Sequence, residues 1–199
     1  MGIEDVLRRQ SGVISRRQAL DAGLQQHDIR RLLRRNEWAR VHDGVYIDHT
    51  GPLAWLQRAW AAVLYAAPAA LCLESALTDE GAVIHVAVSR DRGVLAEPYG
   101  VRVHHVAHLQ ERVLWHVGPP RLRFEEAALD VACQAISEFD AIAVLANACQ
   151  SRRAGYGRCW STLPRAPARS WSTGTSIAWN GRTGCPGPLV RSVRPHRWV

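Results

Sequence analysis

Gln26, His27, Arg30, Arg31 and Arg34 fall on one side of the stretch Gln26–Arg35, whose other side is Ile29, Leu32 and Leu33. At helical spacing this is an amphipathic helix with guanidinium, amide and imidazole groups turned outward. Such groups suit the DNA major groove, where Arg matches the guanine edge and Gln the adenine edge. Arg40, and Arg16 and Arg17 directly after Ser15, are placed for phosphate oxygens. The candidate DNA-contacting residues are therefore Ser15, Arg16, Arg17, Gln26, His27, Arg30, Arg31, Arg34 and Arg40. The solvated outside of a small helical bundle can carry the same residues, so the neighbouring elements have to discriminate.

Those elements are legible. Ile3–Arg9 reads as a short helix with Ile3, Val6 and Leu7 inward, ended by Gly12. Ser15 and Gln18 have the spacing of a capping box, opening a helix from Arg16 to Ala22 that Gly23 closes. After the tight Gly23-Leu24 turn comes the Arg-rich third helix. Trp38–Val41 and Val45–Ile47, joined through His42-Asp43-Gly44, read as a β-hairpin. Helix, helix–turn–helix, hairpin is the order of a winged helix-turn-helix, and it tips the reading toward DNA.

The run Gly12-Val13-Ile14-Ser15-Arg16, with Ala19, Gly23-Leu24, Ile29-Arg30, Leu32, Trp38, Arg40-Val41 and Gly44-Val45-Tyr46, resembles the N-terminal domain of AbiEi-type antitoxins. The resemblance covers about a quarter of the chain. It implies a winged-helix DNA-binding domain of the type IV toxin–antitoxin class, whose antitoxins repress their own operons. The same domain heads many actinobacterial proteins without a known toxin partner, so the resemblance speaks for DNA binding more than for antitoxin activity.

Composition has to be located along the chain before it is interpreted. The formal net charge is +7, and all 25 basic residues are Arg. An all-Arg, Ala-rich chain is what a G+C-rich gene encodes. Residues 1–50 hold nine Arg against seven acids, residues 51–150 seven against eleven, and residues 151–199 nine against none. The basic excess therefore sits in the last quarter of the chain and is no evidence for DNA binding by the first. Apolar stretches such as Ala59–Leu73 are interrupted by Pro68, which argues against a membrane span. Acids near the N-terminus argue against an export signal, so a cytoplasmic protein is expected.

The middle hundred residues read as a compact α+β unit. Ala54–Ala67 should be a helix burying Leu56, Ala59, Trp60, Val63 and Leu64, followed by a short helix at Leu71–Leu77. Strands are expected at Val83–Val88, Val101–Val106 and Val113–Val117, and helices at Phe124–Ile136 and Phe139–Cys149. His104, His105, His108 and His116 raise the question of a metal, but they lack ligand spacing and read as surface or edge-strand histidines. Cys72, Cys133 and Cys149 read as reduced core residues. Glu125, Glu126 and Asp130 read as helix N-terminal charge on a solvated face. No catalytic constellation, metal site or cofactor site is expected.

Phe124–Ala132 and Ala141–Arg153 are similar to the central region of longer actinobacterial proteins that begin with the same domain. In those proteins a very-short-patch-repair-like endonuclease domain follows. Here the pattern stops at Ala154, and Trp, Pro and Arg accumulate without helical or strand periodicity. Reading each codon from its third base offers an explanation. Trp codons end in G, so Trp179 followed by Asn180 forces a Glu codon, and Trp171 followed by Ser172 permits one. From Arg169 to Pro186 the shifted frame permits V-L-E-H-G-Y-L-D-R-V-E-R-P-H-G-L-P. With an upstream run from Cys159, this resembles the start of the endonuclease-like domain, acids included. Residues from about 154 on therefore read as translated out of frame.

The expected fold class is α+β: a winged helix-turn-helix over residues 1–50, a small α+β central domain over 51–153, and a disordered or poorly packed basic tail over 154–199. The expected function is a DNA-binding regulator, with double-stranded DNA as partner, a cognate toxin as a further candidate partner, and a homodimer as a candidate state. The alternatives are a toxin-neutralising interaction domain, a nuclease, and an inactive remnant of the endonuclease-bearing protein. Two-carboxylate nuclease chemistry is disfavoured because no acid follows Asp140.

Overall fold

The computed structural model describes residues 2–153. The expected basic tail and its shifted reading frame lie outside the described residues. The first element, α1 (Ile3–Arg9), ends where the Gly12 amide donates to the Leu7 carbonyl at 2.7 Å. Gly12 has φ +86°, and a Cβ there would overlap the Asp48 carboxylate. The chain then forms β1 (Val13–Ser15), three residues too short to show alternation and not expected as a strand. Helix α2 (Arg16–Asp21) opens with the expected capping box: the Gln18 amide donates to Ser15 Oγ at 3.2 Å, and the Ser15 amide to Gln18 Oε1 at 3.0 Å.

Gly23 closes α2 at φ +100°, its amide donating to Leu20 O at 3.0 Å while Leu24 donates to Ala19 O at 3.1 Å. This paired closure satisfies two helix-end carbonyls and turns the chain sharply. Helix α3 (Gln26–Arg34) follows and closes in the same way, with Asn36 at φ +56°. Strands β2 (Ala39–His42) and β3 (Val45–Ile47) form the expected hairpin, with a bulge between Arg40 and His42. Strand β1 adds to its other side, giving an antiparallel sheet of order β1-β3-β2.

Both faces of this sheet are buried. Ile14 and Tyr46 pack with Val6, Ala19, Ile29 and Trp38, whereas Val13, Val45 and Ile47 pack on Trp60 and Ala61. The latter two belong to α4 (Trp55–Tyr65). The other side of α4, through Ala59, Ala62, Val63 and Ala66, joins the core of a second sheet. Burial on two sides explains why Ala59–Val63 are all buried. It also corrects the single-faced expectation, because Leu56 is exposed.

The second sheet contains β4 (Ala69–Leu71), β5 (Ile84–Ser89), β6 (Val101–Val106), β7 (Val113–Leu114) and β8 (Arg121–Leu122) in the order β6-β5-β4-β8-β7. Its pairing is mixed, with β5–β6 and β4–β8 parallel. The described residues are thus a mixed α+β fold, as expected. The helix expected at Leu71–Leu77 is shorter, α5 (Glu74–Leu77), and its first residue belongs to β4. A short apolar run buried on both sides does not reveal its own period, and β4 is the middle strand. The strand expected to Val117 stops at Leu114, after the one-turn α6 (Leu109–Arg112). Helices α7 (Phe124–Cys133) and α8 (Glu138–Arg153) finish the described chain. Cys72 is buried, and burial pushes its thiol pKa up, but Cys133 and Cys149 are exposed rather than in the core.

Candidate nucleic-acid interface

Helix α3 buries Ile29 against the first sheet's core, with Leu32 and Leu33 packed beside it. At 100° per residue, His27, Arg31 and Arg34 then form the stripe facing away from that core, with Gln26 and Arg30 along one flank. All five side chains are exposed. Arg30 and Arg34 have no acid partner among the described residues, so their charge is available to a ligand. Arg31 is different: its Nη2 lies 3.1 Å from Asp28 Oδ1, and His27 Nε2 lies 3.5 Å from the same oxygen. Asp28 Oδ2 accepts from the Gln25 amide at 3.0 Å, capping the helix.

The remaining candidates gather around the hairpin. Ser15 pairs with Val45 across the sheet, and the Arg16 amide donates to the Gly44 carbonyl at 2.7 Å. The start of α2 is thereby tied to the hairpin turn. Ser15 Oγ is engaged in the helix cap, so its placement is one of support. Arg16 and Arg17 are exposed, with Arg17 3.9 Å from Asp21. Arg40 stands opposite Tyr46 in the register. Directly paired residues project to the same face of a sheet. Arg40 therefore lies on the face that packs against α1, α2 and α3.

Residues 3–47 match the family model described as transcriptional regulator, AbiEi antitoxin. The matched segment runs from α1 to the end of β3, so it contains every candidate contact residue. AbiEi antitoxins are a family of regulators, not of enzymes, and the match supports a DNA-binding, antitoxin-like role for this segment. No curated protein matches the chain.

Beyond the AbiEi-like segment, the histidines and acids hold structural positions. His104 lies on the edge strand β6, as expected, and there its Nε2 stands 2.9 Å from His85 Nδ1 with the two rings stacked. Burial and the neighbouring His85 both lower the pKa of His104. Among the described residues no three His, Cys, Asp or Glu side chains could hold a metal ion. Glu126 and Asp130 are not merely a solvated face. Arg112 donates to Glu126 at 2.8 Å and to both Asp130 oxygens at 2.8 and 2.9 Å, fastening α6 to α7. No described helix is long and apolar enough to cross a membrane.

Asp28 belongs to the interface without being one of the expected contact residues. Its sequence signal is its spacing, since an acid three residues after a helix cap is a capping-box position even where the cap is Gln25.

Proposed function

We propose that the first fifty residues are a winged helix-turn-helix that binds double-stranded DNA, and that the chain is a cytoplasmic transcriptional regulator repressing its own operon. Helix α3 enters the major groove and the β2–β3 hairpin acts as the wing. The observation carrying this reading is the exposed side of α3, which presents Arg31 and Arg34 opposite a buried Ile29 and Arg30 on the flank, inside a segment matching AbiEi regulators. Gln26 and His27 add amide and imidazole contacts, while Arg16, Arg17 and Arg40 reach phosphates. Ser15 supports them through the α2 cap. The proposed central domain spans residues 51–153. A toxin protein and a second copy of the chain are the proposed protein partners.

A gel-shift assay with duplex DNA from upstream of the gene tests the reading. The wild-type chain retards that duplex, and replacing Arg30, Arg31 and Arg34 together with Ala abolishes the shift. Unchanged binding by the triple variant overturns the assignment of α3.

The acid-free stretch from residue 154 favours a second reading, in which the chain is an inactive remnant of an endonuclease-bearing protein. The gene's nucleotide sequence decides it, since a shifted frame without the endonuclease-like continuation removes the basis for this reading.

A further inference from the structure

The three α3 arginines are not equivalent, and Asp28 is what separates them. Its side chain is only 18% exposed, and both of its oxygens are occupied within the helix. Oδ2 holds the Gln25 amide, and Oδ1 holds Arg31 with His27 close by. An aspartate mostly buried and engaged through both oxygens is placed to hold its helix neighbours rather than to read a base. Arg31 is held at one end, and its side chain is still 51% exposed, leaving guanidinium N–H groups to donate.

We infer that Asp28 is a positioning residue, that Arg31 is the specificity-determining residue of the interface, and that the target is a duplex with a guanine beneath Arg31. This rests on the DNA-binding reading above. A guanidinium tethered at one nitrogen before binding loses less freedom on docking, and Arg matches guanine O6 and N7 with two parallel hydrogen bonds. The Asp28–Arg31 pair is close to neutral, so it releases few counterions from DNA. Arg30 and Arg34, without an acid partner among the described residues, supply the sequence-independent attraction. One helix thus divides the work between reading and holding.

The test is selection of binding sites by the full chain from a randomised duplex pool, followed by affinity measurements across salt concentration on the selected duplex and on single-base changes of it. Wild type selects a site with an invariant guanine. Arg31→Ala and Arg31→Lys lose roughly ten- to hundredfold discrimination at that one position while barely changing the salt slope. Arg30→Ala and Arg34→Ala weaken binding to every duplex and each flatten the slope by about 1. Asp28→Asn keeps an oxygen for the Gln25 amide but removes the charge holding Arg31. It therefore relaxes the guanine preference and steepens the salt slope by about 0.9 as Arg31 turns to phosphate. A residue that only capped the helix would leave both readouts at wild-type values in Asp28→Asn. Wild-type preference and slope in Asp28→Asn, or retained preference in the surface variant Arg31→Lys, overturns the inference while DNA binding stands. Absence of any wild-type binding overturns both.

Discussion

At the scale of single residues, burial and neighbours decide chemistry that residue type leaves open. His104 has an ordinary surface histidine's sequence context, yet it stacks on His85 at 5.2 Å between ring centres. Desolvation, then the His85 imidazole, holds its pKa below the usual 6.5, and burial does the same for His42. Both groups bind protons less readily folded than unfolded. Their contribution to stability is therefore full above about pH 6.5 and is lost as pH falls toward and through the lower folded values. Urea midpoints should decline from about pH 6.5 downward, and His104→Gln should flatten part of that decline. An unchanged pH profile in the variant would show that the histidine pair is energetically silent. Nothing in the spacing of His85 and His104, nineteen residues apart, announces the pair. It arises from the parallel register of β5 and β6.

At the scale of elements, the local signals are reliable where a single turn of chain carries them. The Ser15–Gln18 capping box, the Gly23 closure and the Asp43-Gly44 hairpin are contacts between residues a few positions apart. They form wherever the backbone is allowed to make them. Ser15→Ala should cost about 1 kcal/mol through the lost cap, read from chemical denaturation, and should weaken DNA binding only as far as it loosens α2 and its bond to Gly44. Strands β1, β4 and β8, each of two or three residues, are a different case. A strand that short has too few residues for alternation to register, and it exists only because a neighbouring strand distant in sequence supplies its hydrogen bonds. The same reasoning explains why Leu71 reads as the start of a helix over Leu71–Leu77 when it is the last residue of β4.

At the scale of the whole molecule, α4 is the element on which the described fold turns. One side holds Trp60 and Ala61 against the AbiEi-like sheet, and the other holds Ala59, Ala62 and Val63 in the second core. Trp60 also abuts Gly118, where a Cβ would stand 2.8 Å from the indole ring. Trp60→Ala should therefore cost about 3–5 kcal/mol and lower the thermal transition seen from both sheets. A loss confined to one sheet would show that α4 does not couple them. The amino-acid sequence by itself determined the helix with its arginine face, the caps and turns around it, the hairpin beside it, and the resemblance to AbiEi regulators. These depend on residues close along the chain, where backbone geometry and periodicity suffice. Only the tertiary structure decided that α4 is buried on two sides, that Leu56, Cys133 and Cys149 are exposed, that His85 meets His104, and that Arg112 claims Glu126 and Asp130. Each of those outcomes depends on partners distant in sequence, and a hydrophobic pattern records that a residue wants burial without recording what will cover it.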